Sequence, residues 1–330
     1  MKEIDESIID EVEDEISPKT LKSKLWNITK VLLKFAVTSV LLYFVFRRVP
    51  LEQVKDRLLR ANYWWMFAAL VSFFLSIIAS SWRLMSFFKS INLHLDPRFN
   101  FRLYLLGLFY NFLLPGGIGG DGYKIYMLNK SYKLPGKKVF WAIIFDRLSG
   151  LWAIGLITVM LIFLIPQIDI HIGIPLGIFV IASIVYYFVA YTFFREYTRH
   201  FFAGHAKAVL VQTLQVMAIV FILLGQNFDG KFSPYLLSFL ISALATIIPI
   251  SIGGAGIRET VFMQLTKVFP MDESLAIFLP GSFYVISLLV ALFGIYYVLR
   301  PSRLEDGLQK GKVVFGEEAE DPSVNDQTPA

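Results

Sequence analysis

Two Pro- and Gly-rich segments interrupt apolar stretches of this chain and resemble each other. Residues 114–124 and 248–258 each contain a proline, an Ile-Gly-Gly sequence, a further glycine and a base in the same register. Proline removes a backbone donor and glycine adopts conformations outside the helix, so both residues interrupt helices. Each segment also follows an apolar run that is too short to cross a bilayer comfortably. We therefore predict helix breaks inside the membrane at Pro115 and Pro249.

The composition is that of a polytopic membrane protein. Hydrophobic residues make up 56% of the chain, 31 residues are Phe, and only 17% are charged, which is unlike a water-soluble globular protein. The chain has no Cys, and its four His show no ligand spacing. We therefore expect no disulfide, no metal site, no cofactor and no nucleic-acid partner.

The apolar runs predict an all-α polytopic membrane protein with about six full spans and two Pro/Gly-broken re-entrant helical hairpins, arranged as an inverted repeat. A membrane domain, 28–300, has halves at about 28–165 and 173–300, and it lies between a cytoplasmic tail, 1–27, and a disordered tail, 301–330. An amphipathic interfacial helix is predicted at 51–62. The predicted spans are 28–46, 63–83, 139–165, 173–194, 208–225 and 274–299, and the broken segments are 101–114 with 123–128, and 235–252 with a limb that reaches 269.

Lys and Arg residues orient these spans. They concentrate in 1–27, 83–102, 124–138, 195–207 and 300–330, and they are sparse in 166–173 and 226–234. The positive-inside rule then places both termini in the cytoplasm of a cell (inner) membrane protein. Because the same order of elements starts once from each side, the two halves are predicted to be inverted. Chance or simple Gly/Pro bias is the alternative explanation of the paired segments.

The breaks are predicted to hold an anion. Glycines after a break leave N–H groups bare at the start of the returning helix, and these groups and the helix dipole favour negative charge. A base follows each break, and a phosphate group suits a Lys and an Arg acting from two sides. Alternatively, the two bases only pair with neighbouring acids. The candidate headgroup residues near the breaks are Gly119, Gly120, Asp121, Lys124, Gly253, Gly254, Arg258 and Glu259.

Three charged residues in the predicted spans complete the candidate site. Asp146 and Arg147 lie inside the span 139–165, and Arg83 ends the span 63–83. Buried charges in a membrane are costly and normally face a partner or a cavity. Adjacent helical residues point in different directions, so Asp146 and Arg147 need separate partners. Arg83 has a simpler alternative, in which it reaches to the interface.

Residues 111–115, 119–121, 146–150 and 248–259 together resemble the lysylphosphatidylglycerol synthase transmembrane region, a flippase-like integral membrane family. The resemblance extends over about 25–300. In bifunctional members of that family, the membrane region moves aminoacylated phospholipid between leaflets, and a separate soluble domain makes the lipid. Because the 30 mostly polar residues after Arg300 are too few for an aminoacyl-transferase domain, the resemblance implies a stand-alone flippase-like protein.

The function expected from these observations is transport or binding of an anionic or aminoacylated phospholipid, or of a lipid-linked headgroup. We expect the protein not to be an enzyme. One alternative is a membrane-embedded glycolipid or lipid-headgroup transferase, for which Asp121, Asp146 and Glu259 are the carboxylates near the motifs. Another is a scaffold for a separate lipid-modifying enzyme. The expected partner is a membrane lipid, and the sequence does not fix the oligomeric state.

Overall fold

The computed structural model describes residues 57, 59–113, 119–162, 165, 171, 173–246, 256–305 and 312–313. Nearly all of the described chain is helical, and short two-residue strands, β1 (Leu93–His94) and β2 (Lys312–Val313), form one antiparallel pair. A 3-10 helix covers Arg195–Thr198. The α-helices are α1 (Tyr63–Ser90), α2 (Pro97–Leu113), α3 (Gly119–Tyr132), α4 (Gly136–Ile162), α5 (Gly173–Phe193), α6 (Phe201–Gly225), α7 (Ser233–Ala245), α8 (Ile257–Leu265), α9 (Glu273–Leu292), α10 (Ile295–Leu299) and α11 (Pro301–Glu305).

The all-α membrane fold predicted from the sequence is confirmed. Within the described residues, α1, α4, α5, α6 and the α9–α10 segment are long and apolar enough to cross a membrane. They correspond to five of the six predicted spans, and the remaining one, 28–46, lies outside the described residues. On α5 only Ala190 is buried, and its exposed side chains are mostly large and apolar. A helix surface of this kind suits contact with hydrocarbon rather than water.

Helix boundaries differ from the prediction most clearly at three helices. Helix α1 continues to Ser90 instead of 83, α6 begins at Phe201 instead of 208, and α3 covers Gly119–Tyr132 instead of 123–128. The extensions of α1 and α6 include polar residues that an apolar run excludes, yet Ser86 and His205 are buried. Hydropathy alone therefore shortens these helices, because the polar side chains are packed against other helices.

The described helices end and begin on either side of both predicted breaks. Helix α2 ends at Leu113 and α3 begins at Gly119, and α7 ends at Ala245 before α8 begins at Ile257. Gly256, directly before α8, has a φ of 84°, a conformation that favours glycine. Pro115, Pro249, Gly253 and Gly254 themselves lie outside the described residues.

Hydrogen bonds between loops define one end of the helix bundle, here called the Asn62 end. The backbone N–H of Asn62 donates to the carbonyl of Gly225 at 2.8 Å, and Arg57 pairs with Asp272 at 3.1 Å. The backbone N–H of Asp272 donates to the hydroxyl of Tyr235 at 2.7 Å. The start of α1, the end of α6, the start of α7 and the start of α9 therefore meet at this end.

A second set of loops meets at the other end, here called the Asn92 end. Arg199 donates to Asn92 Oδ1 at 3.2 Å, and Lys138 pairs with Glu196 at 2.7 Å. The end of α1, the start of α4 and the end of α5 are thus close together. The loops that meet at each end are thus the ones that the distribution of Lys and Arg assigned to the same side of the membrane. That the Asn92 end is the cytoplasmic one stays a prediction.

Contacts between helices follow a two-fold pattern. Suppose that α1 in the first half is equivalent to α6 in the second, the hairpin α2–α3 to α7–α8, and α4 to α9. A contact between helices of the two halves then has a counterpart between their equivalents. Helix α4 packs against α7 and α9 packs against α2, while α1 packs against its own equivalent, α6. This exchange is expected of two related halves, and it favours the predicted inverted repeat without showing how a bilayer surrounds it.

We predict that the two hairpins enter the membrane from opposite sides. Ser131 lies at the end of α3 and Thr266 directly after α8. Because the chain has no native Cys, Ser131→Cys and Thr266→Cys each provide a single site for a membrane-impermeant maleimide. In cells, these two sites should label from opposite faces, and labelling of both from one face would overturn the inverted arrangement.

Part of the tail predicted to be disordered has structure. Helix α11 starts at Pro301, and β2 pairs with β1, which follows α1. Leu304 is buried, and Arg102 donates to the carbonyl of Arg303 at 2.7 Å. The prediction was therefore wrong for these residues, because a single apolar side chain and backbone bonds hold a mostly polar segment against the membrane domain.

Candidate functional site

A bidentate ion pair joins α1 to α4 within the bundle. Arg83 Nε and Nη2 donate to the two carboxylate oxygens of Asp146 at 2.8 and 2.9 Å, and both residues are buried. A Cβ added to Gly150 would lie 3.1 Å from Arg83 Nη1, so α4 leaves just enough room for the guanidinium. Arg83 thus pairs inside the bundle, and the alternative in which it reaches to the interface is wrong.

Asp121, near the start of α3, accepts hydrogen bonds from two bases. Lys124 Nζ lies 3.1 Å from Oδ1, and Arg147 Nε lies 2.7 Å from Oδ2. Asp146 and Arg147 are adjacent on α4 and have different partners, as their directions on a helix require. The carboxylate of Asp121 therefore links the hairpin α2–α3 to the long helix α4.

Lys124 occupies a slot between the two limbs of this hairpin. Its side chain is buried, and Nζ lies 4.5 Å from the centroid of the Tyr104 ring, where a cation–π attraction supports the charge. A Cβ on Gly107 would come within 2.7 Å of Lys124 Cε. The aliphatic part of the Lys124 side chain therefore fits in this slot because residue 107 of α2 is a glycine.

Helices α2 and α3 come into direct backbone contact at Gly120. A Cβ on this residue would lie 1.9 Å from the carbonyl oxygen of Gly107, a distance that no side chain tolerates. The backbone N–H of Gly120 donates to Asn111 Oδ1 at 2.8 Å. Gly120 thus allows α3 to approach α2 closely, and its N–H is bonded to the protein rather than bare as predicted.

Five charged side chains form what we call the charge cluster: Arg83, Lys124, Arg147, Asp121 and Asp146. Among the described residues, the cluster joins three bases and two acids. Buried charges in a low-dielectric interior are unfavourable unless groups of opposite sign balance them. The side chain of Arg147 is 39% exposed, which leaves one base of the cluster accessible from outside the bundle.

Arg258, the base that follows the second break, has different surroundings from Lys124. The guanidinium of Arg258 lies over the rings of Phe239 and Phe283, at 5.4 and 5.2 Å from their centroids. Its Nη1 is buried and has no hydrogen-bond partner among the described residues. The carboxylate of Glu259 instead accepts from the N–H of Gly256 at 2.7 Å. Among described residues, Arg258 therefore does not form the local ion pair that the simpler alternative requires.

The structure brings together five charged candidate residues, and Gly119 and Gly120 lie at the start of the helix that carries two of them. Arg83, Asp121, Lys124, Asp146 and Arg147 are the charge cluster, and no described contact joins them to Arg258 or Glu259. Gly253 and Gly254 lie outside the described residues. The two-sided clamp by Lys124 and Arg258 stays a prediction.

Sequence reasoning missed Gly107, Tyr104 and Asn111, which hold Lys124 and Gly120 in place. A glycine inside an apolar helical run was a usable signal, because such a residue often marks a close helix contact. Asn111 begins the first segment that resembles the family, but nothing in the sequence indicated its hydrogen bond to Gly120, and no sequence signal identified Tyr104. Their partners are found across the hairpin and depend on how the two limbs pack.

The fold and the buried charges define a polytopic α-helical membrane protein with an internal polar site. The family model of the lysylphosphatidylglycerol synthase TM region matches residues 31–210, more than half of the chain. The chain therefore belongs to this family. The matched part includes the first break and the whole charge cluster and ends before the second break. No curated protein and no solved structure matches the chain.

Proposed function

We propose that the protein binds the headgroup of an anionic or aminoacylated phospholipid, or of a related lipid-linked molecule, at the charge cluster and moves it between leaflets. The observation that carries this proposal is the pairing of two bases, Lys124 and Arg147, with the single carboxylate of Asp121 beside the first break. Family membership supports a role in lipid metabolism, and from both we infer the lipid and the transport step.

The chemistry of the cluster suits a phosphate group. Arg147 presents a planar fork of donors, and Lys124 is a compact point charge only one helical turn from their shared carboxylate. Guanidinium groups bind phosphate oxygens through paired charge-assisted hydrogen bonds. A headgroup phosphate that approaches Arg147 would therefore meet two bases that Asp121 already holds in position.

The arrangement of carboxylates favours transport over group transfer. A transferase needs a carboxylate that is free to exchange a proton with the substrate. Asp121 accepts from two bases, Asp146 from Arg83, and Glu259 from a backbone N–H. Each candidate is thus engaged in holding the structure together, so we propose that the protein is not an enzyme.

The paired hairpins support movement between leaflets. Broken helices in two related halves are characteristic of transporters whose substrate site lies near the midplane. Here the hairpin α2–α3 opens toward the Asn92 end, and α7–α8 opens toward the Asn62 end. In a cell membrane, these two openings would give the headgroup a route from each side.

Replacing Lys124 by glutamine should slow headgroup transport at least about tenfold, since one charge-assisted contact to phosphate contributes about 1.5–3 kcal/mol. The measurement is leaflet exchange in proteoliposomes with fluorescent phosphatidylglycerol, lysyl-phosphatidylglycerol and phosphatidylcholine. Lys130→Gln is the matched control, because Lys130 is on the same helix but exposed. It should keep the wild-type rate.

Two results would contradict the proposal. One is equal exchange by the Lys124→Gln and wild-type proteins at equal reconstituted amounts. The other is no exchange of any lipid by the wild-type protein, together with a change in the lipid's mass after incubation, which would favour a transferase. Mass spectrometry of the recovered lipids distinguishes these outcomes.

A further inference from the structure

A pocket of about 490 Å³ opens at the Asn92 end, apart from the charge cluster. Its walls come from three places: the end of α1 and the turn after it, the end of α5, and the 3-10 helix Arg195–Thr198. Asn92 has a φ of 59°, a left-handed conformation that Asn adopts more readily than most residues. Asn92 therefore suits the left-handed turn that forms one wall of the pocket.

Two arginines line the pocket without a carboxylate partner in the described part of the chain. Arg199 donates to the neutral amide oxygen of Asn92 at 3.2 Å, and Arg195 lies over the Tyr191 ring at 5.4 Å. The one acid in the wall, Glu196, pairs with Lys138 at 2.7 Å. Neutral groups therefore orient both guanidinium groups while their charges stay uncompensated.

Further bases surround this pocket. The pKa of His200, directly before α6, is lowered by burial and then by Arg199, Lys89, Lys207 and His94. The charged groups among the described residues that contribute to this shift are all basic. Clefts lined by one sign of charge concentrate ions of the opposite sign.

Aromatic side chains support two of the bases on the membrane-facing side. Lys207 Nζ lies 4.3 Å from the centroid of the Trp82 ring and donates to Ser86 Oγ at 2.6 Å. Trp82 and Tyr191 are both exposed, as expected of aromatic residues at the level of lipid headgroups. This arrangement suits bases at the level of bilayer phosphate groups.

We propose that this pocket binds a phosphate-bearing anion through the forked side chains of Arg195 and Arg199. Arginine forks match phosphate oxygens in pairs, and basic pockets between membrane helices on the cytoplasmic side bind anionic headgroups. The shared chemistry fits either a lipid headgroup or a soluble phosphate. The pocket shares no residue with the charge cluster, and Ser90 lies about 10 Å along α1 from Arg83 at 1.5 Å per residue.

A local reporter tests this site separately from transport. Because the chain has no native Cys, Thr198→Cys gives one attachment point for a small environment-sensitive dye in the pocket wall. The detergent-solubilised protein is titrated with dioctanoyl phosphatidylglycerol, dioctanoyl phosphatidylcholine and inorganic phosphate. We expect tighter binding of phosphatidylglycerol than of phosphatidylcholine, and at least about tenfold weaker binding after Arg195→Gln with Arg199→Gln.

Matched variants make the result decisive. Lys231→Gln with Lys267→Gln also removes two exposed charges and should keep the wild-type dissociation constant within about twofold. Lys124→Gln should also leave the signal unchanged, so this site and the transport proposal fail independently. Displacement of the lipid by millimolar inorganic phosphate would identify a soluble phosphate as the ligand, and no displacement would identify the lipid.

Two outcomes would overturn the proposal. The first is an unchanged dissociation constant for phosphatidylglycerol in the folded arginine double variant. The second is equal binding of phosphatidylcholine and phosphatidylglycerol, because a site made of uncompensated bases must distinguish them by charge. Thermal unfolding of each variant establishes that it is folded.

Discussion

Replacement of Asp146 by asparagine should destabilise the protein by about 3–5 kcal/mol, because it leaves the Arg83 guanidinium buried without its counter-charge. Both side chains are at most 10% exposed, so water cannot replace the lost partner. The measurement is unfolding in mixed micelles of detergent and SDS, followed by circular dichroism. Asp229→Asn is the control, since Asp229 is exposed in a loop, and its effect should stay within about 0.5 kcal/mol.

A double-mutant cycle identifies the cause. The cycle uses Arg83→Met, Asp146→Leu and their combination. The combination removes both charges and should recover most of the stability that Asp146→Leu alone loses. Destabilisation by the double variant that equals the sum of both single variants would mean that the pair is not the source of the effect. Lipid exchange by the stable double variant then reports whether the pair also takes part in transport.

Gly120→Ala should abolish the folded hairpin α2–α3, because its Cβ would lie 1.9 Å from the carbonyl oxygen of Gly107. Backbone atoms at this contact cannot move aside as a flexible side chain does. Gly122→Ala is a matched control on the same helix, because a Cβ there meets no atom within 4 Å. It should be neutral or stabilise the protein by up to about 1 kcal/mol.

The readout for both glycine variants is the yield of monodisperse protein, its thermal unfolding temperature, and lipid exchange. We expect Gly120→Ala to lose all three and Gly122→Ala to lose none. Wild-type stability of Gly120→Ala would show that α2 and α3 are not in backbone contact. It would also contradict the conclusion that the close packing of this hairpin holds Lys124 in place.

The helices and their interruptions were predictable because they depend on local sequence. Apolar runs of bilayer length identified α4 and α5 closely, and Pro and Gly identified the places where α2 and α7 end. Boundaries failed where polar side chains continue a helix, as at His205 in α6. A buried histidine that stacks on Phe201 at 3.9 Å has the hydropathy of a loop residue but not its environment.

The composition of the charge cluster was predictable, but its pairing was not. Asp146 and Arg147 stood out because charges within a span need partners. Sequence alone does not say which helices become neighbours, so it did not join Asp146 to Arg83 on α1 or Arg147 to Asp121 on α3. Pairing across helices depends on tertiary packing, whereas the Lys124–Asp121 pair, one turn apart on one helix, was foreseen as an alternative.

The shared carboxylate of Asp121 has a consequence for how an anion reaches the cluster. If a headgroup phosphate reaches Arg147, as proposed, it would compete with Asp121 for the same donors. Arg147 would then exchange one negative partner for another. Loss of the Arg147–Asp121 hydrogen bond would remove one contact between α4 and α3, so that arrival of the anion would be coupled to the hairpin.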